Sequence, residues 1–203
     1  LVNGLLATFP EIAEVGEPHR PGIVHRLDAG STGLLVVART QHAYDELVPQ
    51  FADHSATRMY KALVWGHPTA LHGVIDAPIG RSRRDPLKMA VVADGRDSRT
   101  EYEVVARYVS PVDCALLECS LETGRTHQIR VHLSSIGHPL IGDPWYGQRR
   151  PTLGMERPFL HAARLEFDHP NGGGRVAFSS ELAADLREML SGLEPIDVES
   201  LGD

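Results

Sequence analysis

Apolar positions along this chain recur at two spacings. Runs rich in β-branched and aromatic residues occupy 59–65, 100–109 and Cys114–Leu121, with a turn at Pro111-Val112-Asp113 between the last two. The continuous apolar run 34–38 predicts a short buried strand. Leu165-Glu166-Phe167 and Val176-Ala177-Phe178 flank Asn171-Gly172-Gly173-Gly174, the pattern of a hairpin. Helical spacing appears three times. Residues 41–53 place Ala43, Tyr44, Leu47, Val48 and Phe51 along one side, with Thr40 as N-cap. Residues 126–136 align Ile129, Leu133 and Ile136, and Gly137 supplies a stop. Residues 181–190 align Leu182, Leu186, Met189 and Leu190 between Ser180 as cap and Gly192. Residues 67–97 read as loop-rich, with short apolar pieces at Val74-Ile75 and 89–92. Strands dominate and do not alternate with helices. The expected class is therefore α+β, a large mixed, mainly antiparallel sheet flanked by helices and loops.

Composition narrows the class. The 203 residues, 42% hydrophobic and 23% charged, match an ordinary globular chain and slightly favour a single domain. No apolar run is long enough to span a bilayer, and the opening residues do not read as a signal peptide, so no membrane association is expected. Cys114 and Cys119 lie five apart in one expected strand, on opposite faces, where they cannot pair. A reducing cytoplasm is the expected compartment. The net charge of −7 argues against a protein coated in basic charge, yet its distribution is uneven. Arg81, Arg83, Arg84 and Lys88 share one loop, Arg96 and Arg99 follow, and Arg125 and Arg130 flank a second motif, while acids gather at residues 11–17 and 194–203.

The chemistry concentrates in two segments, Gly22-Ile23-Val24-His25-Arg26-Leu27-Asp28-Ala29-Gly30-Ser31-Thr32-Gly33 and Thr123-Gly124-Arg125-Thr126-His127-Gln128-Ile129-Arg130-Val131-His132. Asp28 read alone is an Asx-turn acceptor for nearby backbone N–H groups. A reactive carboxylate must instead stay ionised while partly buried, which a guanidinium favours, and Arg130 is the expected partner. Tyr60 read alone is a strand aromatic in the core. His127 and His132, five apart, fit a helical metal pair poorly, and the eleven histidines form no ligand set. Gly30-Ser31-Thr32-Gly33 lacks the lysine of a phosphate loop, and no Gly-x-Ser-x-Gly elbow occurs. These residues alone leave an enzyme and a binding module about evenly matched.

The wording of the two segments closely resembles the RluA/RluD-type pseudouridine synthases. So do Tyr60-Lys61-Ala62-Leu63-Val64, Gly137-His138-Pro139-Leu140-Ile141-Gly142-Asp143, Tyr146-Gly147, Leu160-His161-Ala162 and His169-Pro170, in the family's order over roughly residues 1–190. Ser31-Thr32-Gly33 stands where members commonly carry Thr-Ser-Gly, which keeps two hydroxyls. The resemblance implies the pseudouridine synthase fold and isomerisation of uridine to pseudouridine in structured RNA, most of all ribosomal RNA of the large subunit, with tRNA as alternative. It implies no cofactor and no metal. Asp28 matches the catalytic aspartate, Arg130 the arginine beside it and Tyr60 the active-site tyrosine. His25, Arg26, Arg83, Arg84, Arg125 and His127 are the expected RNA contacts, Arg26 as the residue that fills the space an extruded nucleotide leaves. The chain is expected to be a monomeric catalytic domain over 1–203, lacking the family's usual opening strand and any S4-type RNA-binding domain. A silent RNA-binding relative and a histidine-based metal phosphodiesterase are the rival readings.

Overall fold

A computed structural model of the chain describes residues 1–147 and 149–196; the acidic end of the sequence, from 197 onward, lies outside them. Helix α1 (Val2–Thr8) and a 3-10 turn (Pro10–Glu14) lead into the small pair β1 (Gly16–Glu17) and β2 (Arg20–Pro21). Then come β3 (Thr32–Gly33), α2 (Gln41–Ala52), β4 (Thr57–Trp65), β5 (His72–Asp76), and the hairpin of β6 (Ile79–Arg81) and β7 (Met89–Val91). The remainder is β8 (Arg99–Ser110), β9 (Cys114–Leu121), α3 (Gln128–Ser135), β10 (Leu160–Asp168), β11 (Arg175–Ser179), α4 (Ala184–Ser191) and β12 (Glu194–Ile196). Among the described residues no helix is long and apolar enough to cross a membrane.

Four long antiparallel strands, β10-β4-β9-β8, form the centre of an eight-stranded sheet, and each flank is shared by two short strands. β11 and β3 both lie beside β10, and β5 and β12 both lie beside β8. The pairing of β3 with β10 is parallel; the others in this sheet are antiparallel. The α+β class and mixed, mainly antiparallel sheet expected from the sequence are thus what the chain forms.

Strand alternation builds a core on each face. Ala62 and Val64 of β4, with Ala115, Leu117 and Cys119 of β9, pack with Ile129 and Leu133 of α3. Leu63 and Trp65, with Cys114 and Leu116, pack with Ile141, Phe159 and Leu186 of α4. The two cysteines therefore lie in separate cores and are free. Arg58 and Tyr60 share the parity of Ala62 and so belong to the α3 face. After α3 the chain turns at Gly137 and runs beside the end of β4: Ile141 donates to Leu63 O, and Trp65 donates to Pro139 O.

Several expectations need correction. The run 34–38 is extended but joins no ladder, because its amides go elsewhere: Leu34 to Ala162 O, Val36 to His25 Nε2 and Ala38 to Gly22 O. α3 begins at Gln128, since His127 sits in the left-handed region at φ 57°, and Ile136 is 39% exposed as the residue after the helix. α4 begins at Ala184 without a side-chain cap; the Ser180 hydroxyl bonds Glu181 O instead. Residues 67–97 hold three short strands, β5 on the edge of the main sheet and the β6–β7 hairpin. Elsewhere the pattern is met closely: Thr40 Oγ1 accepts from Ala43 N–H, and Leu165↔Phe178 and Phe167↔Val176 are paired positions of β10 and β11.

Gly33 ties the Asp28 loop to the sheet. Its φ is +103°, and a Cβ there would stand 2.2 Å from Ala162 O. Gly33→Ala should destabilise the fold by roughly 2 kcal/mol or more, from backbone strain and the forced separation of β3 from β10. A urea midpoint equal to that of the parent chain would contradict this contact.

Candidate active site

Asp28 sits in a turn closed by its own backbone, where Ser31 N–H donates to Asp28 O at 3.0 Å. The turn is pinned from outside. Arg157 donates to Gly30 O at 2.9 Å while its other edge holds Asp185. Thr32 Oγ1 bonds His161 Nδ1, on β10, at 2.9 Å. Among the described residues no hydrogen bond reaches the Asp28 carboxylate, so the Asx-turn alternative is not what the chain adopts. The side chain is 15% exposed, and its Oδ2 lies 3.9 Å from Arg130 Nη1.

Arg130 comes from the first turn of α3 and is engaged chiefly elsewhere. Its Nε and Nη2 donate to Asp143 Oδ2 and Oδ1 at 2.8 and 2.9 Å, a two-pronged pair with both side chains buried. Asp143 Oδ1 also accepts from Trp145 and Tyr146 N–H at 2.9 and 3.0 Å. The rings of Tyr146 and Trp145 flank the guanidinium carbon at 5.0 and 5.7 Å. Burial lowers the arginine's pKa, but Asp143, then Asp28, more than reverse this, and it ends above its ordinary value. For Asp143 burial raises the pKa; the hydrogen bonds and charge of Arg130 and two backbone N–H groups outweigh it, leaving the carboxyl below the ordinary carboxylate range.

The loop before α3 is held by a buried amide. Gln128 Oε1 accepts from Thr123 Oγ1 and Arg125 N, and its Nε2 donates to Arg99 O and Thr100 Oγ1. His132 completes this network by bonding Thr100 Oγ1 and Ala77 O. Its ring is therefore a packing and hydrogen-bonding group. His127 Nδ1 pairs with Tyr146 Oη at 2.9 Å, an oxygen that also accepts Met89 N–H.

A cleft of about 430 Å³ opens beside Asp28, walled by Tyr60 and Arg58 of β4, Phe51 of α2, Gly124 to Thr126 and Arg96. Its charged lining comprises Arg26, Arg58, Arg96 and Arg125, with Asp28 the acid among the described residues. A negative chain total thus coexists with a cationic recess around one carboxylate. Tyr60 is 7% exposed, and burial pushes its phenol up to about 12, with Arg58 opposing and Asp28 adding to the shift. It keeps its proton at neutral pH.

The family model for RNA pseudouridylate synthase matches residues 10–135. The chain belongs to the RNA pseudouridylate synthase family. An uncharacterized RNA pseudouridine synthase of Chloroflexus aurantiacus is 51% identical over 194 residues, covering 96% of this chain and 60% of the relative. Ribosomal large subunit pseudouridine synthase D of Zymomonas mobilis is 48% identical over 198 residues, covering 92% and 61%. The solved structure of human RNA pseudouridylate synthase domain containing 1 superposes with a TM-score of 0.76 at 25% identity, covering 97% of this chain and 81% of that one. The chain spans about 60% of the length of the curated relatives it matches.

Within this family fold, the structure gathers Asp28, Tyr60, Arg26, His25 and Arg125 around one cleft and sets Arg130 and His127 beside it through Asp28 and Tyr146. His25 has an internal task as well: its Nε2 accepts Val36 N–H at 3.0 Å and its ring stacks on Phe51. Burial, helped by the Arg58 charge, pushes its pKa down to about 4, so the ring is neutral. Arg83 and Arg84 do not line the cleft; they extend from the β6–β7 hairpin, where Arg83 pairs with Asp94 at 3.1 Å. Sequence reasoning assigned no role to Asp143, Trp145 or Arg58. Asp143 closes one run matched to the family and Trp145 lies between that run and Tyr146-Gly147; an acid followed by Pro-Trp-Tyr was the available signal.

Because the folded-state pKa of Asp143 is depressed, its pairing stabilises the protein fully above the unfolded value near pH 4 and is lost as pH falls through the lower folded value. Asp143→Ala should cost about 3–5 kcal/mol at pH 7 by stranding a buried guanidinium. The deficit relative to the parent should shrink below pH 4. Urea midpoints of both proteins from pH 3 to pH 7 measure it, and a deficit independent of pH would contradict the ion pair.

Proposed function

We propose that this chain is the catalytic unit of an RNA pseudouridine synthase, acting on uridines of large-subunit ribosomal RNA, with Asp28 as the catalytic group. The reaction breaks N1–C1′, turns the uracil and joins C5 to C1′. The proton on C5 departs, N1 gains one, and the composition of the RNA is unchanged. A carboxylate can serve by attack at C1′, by addition to the base, or by removing a sugar proton on a glycal route. Each route requires an ionised oxygen with a free lone pair inside a recess that admits a nucleoside.

One observation carries this reading. Asp28 faces Arg130 at 3.9 Å, while both prongs of that arginine's Nε/Nη2 edge are occupied by Asp143. The positive charge is shared, yet the Asp28 oxygens stay uncommitted. A direct two-pronged pair would have held them down. Tyr60, protonated and at the wall of the same recess, suits ring contact with the uracil better than proton abstraction.

A paired nucleotide offers neither C1′ nor C5 to a protein side chain, so it must leave its stack, at a cost of a few kcal/mol. Arg26, exposed at the mouth of the cleft, is suited to fill the vacated space. Arg125 and His127 border the entrance, and Arg83 and Arg84 extend the cationic surface to the hairpin, where phosphate contacts need no recess. Ribosomal RNA is favoured over tRNA by relatives such as the Zymomonas mobilis ribosomal large subunit pseudouridine synthase D.

Asp28→Asn should reduce tritium release from [5-³H]uridine-labelled large-subunit ribosomal RNA by at least about 10³-fold, as expected for loss of a covalent or acid–base group. RNA affinity should stay within several-fold, and the parent protein should keep full activity in excess EDTA. Substantial turnover by the variant would exclude Asp28 as the catalytic group; strand cleavage abolished by EDTA would favour a metal phosphodiesterase.

A further inference from the structure

Arg58 occupies the cleft wall with no task in the catalytic arrangement. It precedes Tyr60 by two residues on β4, faces the same side of the sheet, and is 7% exposed. Its Nε and Nη2 are buried and meet no hydrogen-bond acceptor. Its guanidinium carbon lies over the Phe51 ring at 5.9 Å, and Nη1 is packed so near Gly124 that a Cβ there would come within 2.4 Å of it. The other buried arginines each have a partner: Arg107 donates from Nη2 to Pro68 O, with only its Nε unmet, and Arg130 pairs with Asp143.

A cation withdrawn from water without an anion is unfavourable in the free protein. The unfilled donors identify what it lacks. Nε and Nη2 form the side edge of the guanidinium, the same edge that Arg130 turns on the two oxygens of Asp143. That edge matches a group with two adjacent anionic oxygens, as in a phosphodiester; a uracil carbonyl offers a single neutral one. Arg96 and Arg125 line the same recess and add to its positive potential.

We infer that Arg58 is a phosphate-binding residue: as RNA enters the cleft, its guanidinium turns so that the Nε/Nη2 edge, closed to water in the free protein, meets the non-bridging oxygens of a phosphodiester adjoining the nucleotide there. This inference rests on the RNA reading above. It assigns Arg58 to substrate capture and positioning, and it makes the free protein less stable than it would be with an apolar residue there.

Filter binding of in vitro transcribed large-subunit ribosomal RNA across a KCl series, together with tritium release and thermal melting, tests this for Arg58→Met, Arg58→Gln and Arg58→Lys. The methionine and glutamine variants should raise KM about tenfold or more, with kcat changing less. They should lower the slope of log affinity against log salt by about 0.7–0.9, the loss of one phosphate contact. The methionine variant should melt higher than the parent. The lysine variant, keeping the charge but not the fork, should retain the slope and recover part of the affinity. Weakened binding with an unchanged slope would assign Arg58 to a neutral base contact and overturn the proposal, as would unchanged KM, or a lower melting temperature for all three variants. A parent protein that binds RNA with the expected slope but releases no tritium would defeat the pseudouridylation reading alone.

Discussion

The buried pair between Arg130 and Asp143 is the interaction on which the site depends. An arginine at the first turn of α3 cannot remain buried without an acid, and it receives both oxygens of one. The aromatic rings of Trp145 and Tyr146 close around it, and their own backbone N–H groups hold the acid in place. What remains of the guanidinium, Nη1, is directed to Asp28 at a distance that stabilises charge without a hydrogen bond. A fixed charge on a rigid helix thus stands beside a carboxylate on a loop.

The sheet supplies the rigidity on both sides of that contact. β4 carries Arg58 and Tyr60 to the α3 face, and the segment after α3 returns along the end of the same strand to deliver Asp143. The Asp28 loop is joined to β10 by β3, at the place where Gly33 lets backbone approach backbone. Gln128 fixes the opposite lip by bonding residues on both sides of it. The two lips are therefore anchored on different strands of one sheet, and the cleft between them is a property of the fold.

Much of this was legible in the sequence. β8, β9, β10 and β11 followed from alternation and turn chemistry, α2 from its period and its threonine cap, and the Asp28–Arg130 juxtaposition from motif resemblance together with the need to keep a partly buried carboxylate ionised. The misses have physical causes. Periodicity cannot show where amides bond, so the run 34–38 looked like a ladder strand although its N–H groups go to a histidine ring and to two separate carbonyls. A single apolar residue at the end of a helical period, Ile136, does not say whether the helix continues far enough to bury it. Asp143 was invisible as a partner because ion pairing between residues 13 apart across a turn leaves no local periodic trace. Arg58 was invisible because its informative property is a lack of partners, which appears only once the neighbours are in place.

The most direct test of the account is a crystal structure of the protein bound to a large-subunit ribosomal RNA fragment carrying 5-fluorouridine, whose C5 has no proton to lose. The account predicts one nucleotide turned out of its helix into the cleft, its sugar against the Asp28 carboxylate, its base against Tyr60, and Arg130 still clasped by Asp143. A nucleotide that remains stacked, or that lies away from Asp28 with the cleft empty, would contradict it.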